Sequence, residues 1–335
     1  MLFEPSHEQQ LLRDSIHRFM SQCCKPEQVN ELDREARYPY EIYAGWVELG
    51  LLGRGIPEEY GGYGGSVEDL ALIAEDLAYW SYDISTAFTV PLFTGMTLLN
   101  WGSEDQRRTY MPRLVDGSMR LSVCISEPSA GSDVNGIATR AERCGGNWRL
   151  KGQKLWITAA SARDTMLLVY ARTDKDAPAR TGLSAFLVEN DAPGVHIRKL
   201  DTLGRRAVGT HEIFFDDVEI GEDRLIGECG KGWDILLSGL QTERALTSAG
   251  YAGSCQRVVD IASAYARERM QFGRAIGDFQ AIGHMLADMQ TQTDAARLLA
   301  YQAAGRLSRG MNALRDVATA KLFGSETYAS IANMG

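Results

Sequence analysis

Two short segments carry side chains suited to holding a ligand. Val123-Cys124-Ile125-Ser126-Glu127-Pro128-Ser129-Ala130-Gly131-Ser132-Asp133 ends an alternating stretch in a turn of small residues, hydroxyls and backbone N–H groups. Such a turn can approach an anion or a planar ring closely. Further along, Lys154-Leu155-Trp156-Ile157-Thr158 closes a second strand with an aromatic face and a hydroxyl. Physical chemistry alone leaves both segments open between a binding pair and polar loops beside a core tryptophan. Other familiar sites fail on reading. Gly230-Lys231-Gly232 begins like a dinucleotide fingerprint, but Ile235 stands at the third glycine position and no strand–helix–strand unit surrounds it. As a phosphate loop the same stretch has Leu225 in place of the first glycine and Gly232 in place of Ser or Thr. No Gly-x-Ser-x-Gly elbow occurs. The five histidines (His7, His17, His196, His211, His284) have no ligand spacing, so no metal is expected.

The composition narrows the class. The chain has 335 residues, 44% hydrophobic and 24% charged, ordinary globular values for two or three packed units. With 35 Lys+Arg against 44 Asp+Glu the net charge is −9, which repels phosphate backbones, so nucleic acid is not an expected partner. Arg107-Arg108 and Arg205-Arg206 are only pairs, not a basic stripe. The six cysteines (Cys23, Cys24, Cys124, Cys144, Cys229, Cys255) are scattered without a Cys-x-x-Cys and read as free thiols. The start, Met-Leu-Phe-Glu-Pro-Ser, has neither a basic nor an apolar signal region, and no apolar run of 18 occurs. The expectation is a cytoplasmic protein without a membrane partner.

The elements that must position those segments follow from periodicity. Ser6 and Gln9 form a capping box, after which Leu12, Ile16 and Phe19 share a helical face. A second helix is expected after Pro39 through Trp46 and Leu49, stopped by Gly53, Gly55 and Pro57. Gly61-Gly62-Tyr63-Gly64-Gly65 reads as a loop, and helices follow near 67–80 and 83–99. From Met119 the period becomes two: Met119, Leu121, Val123 and Ile125 alternate with Arg120, Ser122 and Cys124. Further strands are expected at 148–150, 155–158, 166–171, 184–189, 195–200 and 211–215, with no helices between them. That pattern predicts an antiparallel barrel or sandwich rather than a parallel sheet. After Gly230 and Gly232 the helical period returns: Val258, Ile261, Ala262 and Tyr265 share one face, and Ile282, Met285, Leu286 and Met289 another. The fold class is therefore α+β. A helical domain spans 1–118, a middle antiparallel β-barrel 119–230, and a helical bundle 231–335.

Taken together the motifs are specific. Glu127-Pro128-x-Ala130-Gly131-Ser132-Asp133 followed by Gly152-Gln153-Lys154-x-Trp156-Ile157-Thr158 resembles the acyl-CoA dehydrogenases. So do Ile56-Pro57-Glu58-Glu59-Tyr60-Gly61-Gly62, Phe214-Phe215-Asp216-Asp217-Val218 and Arg267-Glu268-Arg269-x-Gln271-Phe272-Gly273, in the family's order from residue 6 onward. The family's architecture is also helical domain, β-barrel and four-helix bundle.

The resemblance implies FAD as cofactor, held between the family's middle and last domains. On its pattern Ser126 contacts the flavin ring, Ser132 lies near the pyrophosphate, Trp156 shields one edge of the isoalloxazine and Thr158 bonds near N5. Arg269, Gln271, Phe272 and Gln280 match positions reaching the FAD of a neighbouring subunit, which implies a homo-oligomer, usually a tetramer. Ser132, Gln241 and Arg244 match substrate-contacting positions. In the family the base is either a glutamate near the C-terminus, beyond a Gly-Gly motif, or, as in isovaleryl-CoA dehydrogenase-like members, a glutamate just before an arginine on the first bundle helix. Leu240-Gln241-Thr242-Glu243-Arg244 has Glu243 there.

The implied function is oxidation of an acyl-CoA to the 2,3-enoyl-CoA, with an electron-transfer flavoprotein taking the electrons. A flavin monooxygenase-like enzyme of the same fold, which needs no base at Glu243, is the alternative. An inactive or non-enzymatic FAD-binding fragment is a third class. The chain ends at Ile331-Ala332-Asn333-Met334-Gly335 within what reads as a helix, while family members continue. A C-terminally truncated, incomplete bundle is therefore expected.

Overall fold

The computed structural model describes residues 5–335; residues 1–4, read above for the absence of a signal, lie outside the described residues. Six helices come first: α1 (His7–Cys23), α2 (Pro26–Glu35), α3 (Tyr40–Glu48), α4 (Val67–Trp80), α5 (Tyr82–Trp101) and α6 (Glu104–Val115). A strand-rich stretch follows, with β1 (Arg120–Cys124), β2 (Arg140–Cys144), β3 (Asn147–Thr158), β4 (Thr165–Arg172), the short α7 (Ala179–Gly182), β5 (Leu183–Glu189), β6 (Val195–Lys199), β7 (Thr210–Ile220) and β8 (Leu225–Ile226). The chain then forms α8 (Gly232–Glu268), a hairpin of β9 (Met270–Gln271) and β10 (Arg274–Ala275), α9 (Gln280–Ser308) and α10 (Leu314–Met334). Among the described residues no helix is long and apolar enough to cross a membrane.

Helix starts obey their sequence signals. Ser6 Oγ accepts from Gln9 N at 3.1 Å, and Ser6 N in turn donates to Gln9 Oε1 at 2.9 Å. Ser66–Asp69 and Ser103–Gln106 build the same reciprocal cap on α4 and α6.

The chain divides into two compact units. The first joins the residues up to Pro26 with Gly65–Ser85 and Gln241–Gly335. It is helical, and small residues let its helices approach closely. A Cβ on Gly253 of α8 would stand 2.0 Å from the Glu75 carbonyl of α4. Buried carboxylates bind the helices sideways. Asp76 takes Arg13 of α1 at 2.7 Å, and Glu75 takes Arg297 Nε at 2.7 Å and the Tyr301 hydroxyl at 2.6 Å, both from α9.

The second unit, Glu27–Gly64 with Thr86–Leu240, holds the sheet. Its strand path is β6-β7-β3-β2-β4-β5-β8, with β1 added beside β4. The expected antiparallel barrel is corrected in two respects. The terminal strands β6 and β8 do not pair, so the sheet stays open, and β4 has parallel neighbours, β1 from Arg120↔Thr165 to Cys124↔Val169 and β2 at Arg140↔Arg172. Alternation sets which side chains face inward, but strand direction is set by the intervening chain. Here β2 and β3 lie between β1 and β4 in the chain, so β4 returns beside β1 in the same sense. Both faces of β4 are covered. Met166, Leu168 and Tyr170 join the core cluster containing Tyr110, Met111 and Leu114 of α6. Leu167, Val169 and Ala171 join Trp148, Phe186 and Ile213.

The strands expected separately at 148–150 and 155–158 are one strand, β3, with two irregularities against β7. Between Leu150↔Val218 and Gly152↔Phe215 the extra residue lies on β7, where Asp217 takes φ +52°. Between Lys154↔Ile213 and Ile157↔His211, three steps on β3 meet two on β7, so the extra residue lies on β3. Gly152 makes this path possible. It holds φ +150°, and a Cβ there would sit 2.6 Å from the Thr139 Cα.

Gly152→Ala therefore overpacks a fixed backbone and is expected to cost about 1–3 kcal/mol. A urea midpoint indistinguishable from wild type would contradict that account of β3.

Candidate active site

The sheet unit assembles the first group of residues. Lys154 is fully buried, and its Nζ donates to the Ile125 carbonyl at 2.9 Å and to Glu127 Oε1 at 2.8 Å. Glu127 also accepts from the backbone N–H of Ala138 at 2.7 Å and of Thr139 at 3.0 Å. The turn after β1, the chain entering β2 and the middle of β3 thus meet at one carboxylate. Burial alone would push the Glu127 carboxyl up, but the Lys154 ammonium and the Thr139 and Ala138 donors outweigh it and hold it below the usual carboxylate range. Burial pulls Lys154 below the ordinary lysine range, with Glu127 opposing.

Beside this pair, Leu155 N donates to the Ser126 carbonyl at 2.9 Å, which sets Ser126 next to the Trp156 bulge. Trp156 takes φ +65° and is 60% exposed. A tryptophan in a left-handed conformation is strained, and such strain persists only where neighbours over-determine the backbone. They do so here. Ser122 Oγ donates to the Thr158 carbonyl at 2.7 Å, Ala159 N to the Gly209 carbonyl at 3.0 Å, and Arg205 Nη1 to Thr158 Oγ1 at 3.3 Å. Of the two physical readings of this segment, the core tryptophan is excluded. Ser132 is exposed on the turn after Glu127, next to Gly131, where a Cβ would meet nothing within 4 Å.

The helical unit carries the second group. Gln241, Glu243 and Arg244 are half-buried on α8. Thr247 Oγ1 donates to Glu243 Oε1 at 3.2 Å, one helical turn on. Gln241 and Arg244 share a face at a spacing of three, whereas Glu243, two residues from Gln241, points to a different side. Arg269, Gln271 and Phe272 are exposed on the β9–β10 hairpin, and Gln280 is exposed at the start of α9. Phe272 is 92% exposed at φ +51°, its ring 6.0 Å from that of Phe279 in an edge-on arrangement.

The structure thus brings Ser126, Trp156 and Thr158 together on one rigid framework in the sheet unit, with Ser132 on the adjoining turn. It places Glu243, Gln241, Arg244, Arg269, Gln271, Phe272 and Gln280 in the helical unit. Sequence reasoning missed the roles of Lys154 and Glu127, although both stand inside the motifs it quoted. It also missed Arg205 and His211. The available signal was a lysine and a glutamate inside otherwise apolar strand ends, since such charges are buried only as pairs.

The donor set fits a flavin. A bare aromatic face at a strained, pinned bulge offers a wall for a planar ring, and the Ser126 and Thr158 hydroxyls can serve a ring edge rich in nitrogen and oxygen. The exposed Arg269, Gln271 and Gln280 offer a cation and amides suited to a pyrophosphate or adenine.

Comparison with known proteins agrees in all three parts of the chain. Residues 6–118 match the acyl-CoA dehydrogenase N-terminal domain family, 122–218 the middle domain and 230–334 the C-terminal domain. A glutaryl-CoA dehydrogenase of Desulfococcus multivorans is 38% identical over 343 aligned residues, covering 99% of this chain and 86% of that protein. A mitochondrial isovaleryl-CoA dehydrogenase of Oryza sativa subsp. japonica is 33% identical, covering 99% and 81%. The solved butyryl-CoA dehydrogenase of Megasphaera elsdenii superposes with a TM-score of 0.95 at 29% identity, covering 99% of this chain and 88% of that one.

Glu127→Gln is expected to leave Lys154 as an uncompensated buried charge and to cost about 3–5 kcal/mol, whereas Glu127→Gln with Lys154→Met should recover most of that loss. Denaturant unfolding of the two variants decides it; a single variant within about 1 kcal/mol of wild type would mean that the pair does not hold the turn.

Proposed function

This chain belongs to the acyl-CoA dehydrogenase family and is an oxidoreductase of that family. From that premise we propose that it converts an acyl-CoA thioester to its 2,3-enoyl-CoA with FAD as cofactor and an electron-transfer flavoprotein as acceptor. The observation that carries this reading is the exposed Trp156 ring, held at φ +65° by pinned neighbours beside Ser126 and Thr158. FAD, when bound, accepts a hydride from the β-carbon of the acyl chain.

The chain's own residues supply the remaining tasks. Glu243 Oε removes the α-proton, and the Thr247 hydroxyl on Oε1 fixes the rotamer of the carboxylate. A carboxylate is a sufficient base once bound substrate excludes water and raises its affinity for the proton. Ser132, Gln241 and Arg244 contact the substrate. In the sheet unit Ser126 would contact the flavin ring, Ser132 would also lie near the pyrophosphate, Trp156 would cover one edge of the ring and Thr158 would bond near N5.

Arg269, Gln271, Phe272 and Gln280 are assigned to the FAD of a neighbouring subunit in a homotetramer. Supporting this, the hairpin and adjoining helices expose Ile261, Tyr265, Met270, Phe272 and Met285, apolar area that a single chain leaves uncovered. The division into 1–118, 119–230 and 231–335, and a cytoplasmic location, belong to the same reading.

Purified protein reconstituted with FAD should lose its flavin absorbance anaerobically on addition of an acyl-CoA, and a panel of straight-chain and branched acyl groups would identify the substrate. Bleaching by an external reductant but by no acyl-CoA overturns the dehydrogenase in favour of an oxygenase.

Glu243→Gln should slow flavin reduction by about 10²–10⁴-fold with acyl-CoA binding retained; reduction at the wild-type rate places the base elsewhere. Arg269→Ala is expected to weaken FAD retention while changing stability by no more than about 0.5 kcal/mol. Sedimentation of a monomer with FAD fully bound would refute the shared site.

A further inference from the structure

We propose that His211, oriented by Ser161, is a positioning residue for the flavin-facing end of β3. The inference rests on the reading above that Trp156 and Thr158 contact FAD.

His211 is fully buried on β7, directly opposite Ile157 in the register that resumes after the Trp156 bulge. Its Nδ1 lies 3.1 Å from the Ile157 carbonyl and its Nε2 lies 2.7 Å from Ser161 Oγ. A carbonyl can only accept, so Nδ1 carries the proton and Nε2 accepts from the Ser161 hydroxyl. Burial pulls the ring down to about 4, so it is neutral near pH 7 and keeps this single tautomer.

The location gives the contact its consequence. A bulge disrupts the ladder locally and bends the strand, so contacts to the first residue after it set the direction in which the strand resumes. Before the bulge, Lys154 is held by Ile125 and Glu127. After it, His211 holds Ile157, and Ser122 and Gly209 hold Thr158 and Ala159. The imidazole is thus the side-chain clamp between Trp156 and Thr158, the two residues assigned to the ring. Ser161 lies on the turn between β3 and β4, so that turn is tied to the same point.

The test separates the two ring nitrogens. In His211→Asn the amide nitrogen stands where Nδ1 stands and still reaches Ile157; in His211→Gln it stands near Nε2 and cannot. FAD affinity is read by titrating apoprotein, and apoprotein melting is the control for a merely structural role. His211→Gln should weaken FAD about tenfold, the value of one lost hydrogen bond, and His211→Asn should restore binding to within about threefold of wild type, with similar melting temperatures for the two apoproteins.

FAD binding by His211→Gln equal to wild type overturns the assignment. So does equal weakening in both variants that tracks apoprotein stability. Should His211→Gln not fold, Ser161→Ala decides: FAD weakened about two- to fivefold supports the assignment, and unchanged affinity overturns it. A wild-type protein that takes up no FAD overturns the proposed function itself, a result distinct from wild-type binding with an indifferent His211→Gln.

Discussion

The buried ion pair between Lys154 and Glu127 is the constraint on which the sheet unit depends. Taking both charges out of water is expensive, and only a geometry that satisfies nearly every donor and acceptor makes the arrangement tolerable. That demand fixes three backbone segments at once. The turn after β1 must present the Ile125 carbonyl, the chain before β2 must present two N–H groups, and β3 must bring its lysine inward. With Lys154 turned inward and one residue inserted before Ile157, Trp156 is forced outward. Alternation alone would put Trp156 on the same face as Lys154; the inserted residue turns the ring out.

The helical unit solves a different problem by similar means. Its helices are drawn together by glycines at the crossings and by carboxylates that reach sideways. Gly253 lets α8 lie against the backbone of α4, while Glu75 and Asp76 on α4 take partners from α9 and α1. Arg13 and Arg297 each meet a carboxylate that is almost fully buried, so loss of either arginine strands a charge rather than removing a surface contact. Of these contacts the Gly253 approach holds α8, the helix on which Glu243 sits, and Thr247 holds the Glu243 side chain.

The faces of α8 and α9 show where periodicity and burial part company. Val258, Ile261, Ala262 and Tyr265 recur at helical spacing, yet Ile261 is 55% and Tyr265 58% exposed. In the second face Met289 is buried while Met285 is 41% exposed. The period correctly predicts the helix and an apolar stripe. It carries no information about whether the surface that covers the stripe belongs to the same chain.

The same division holds for the whole protein. The amino-acid sequence by itself determined the order helix, strand, helix, the capped start of α1, α4 at 67–80 and the two motif segments, because each depends on neighbours a few residues apart. It also carried the family, through motifs spread along the chain. What only the tertiary structure decided is direction and pairing: that β1 lies parallel to β4, that the sheet stays open, that 148–150 and 155–158 are one bulged strand, and that Trp156 faces out while Lys154 faces in. Lys154 meets Glu127 across 27 positions and His211 meets Ile157 across 54. The pairing energy of such groups exists only once the intervening chain has folded, so no local pattern records it.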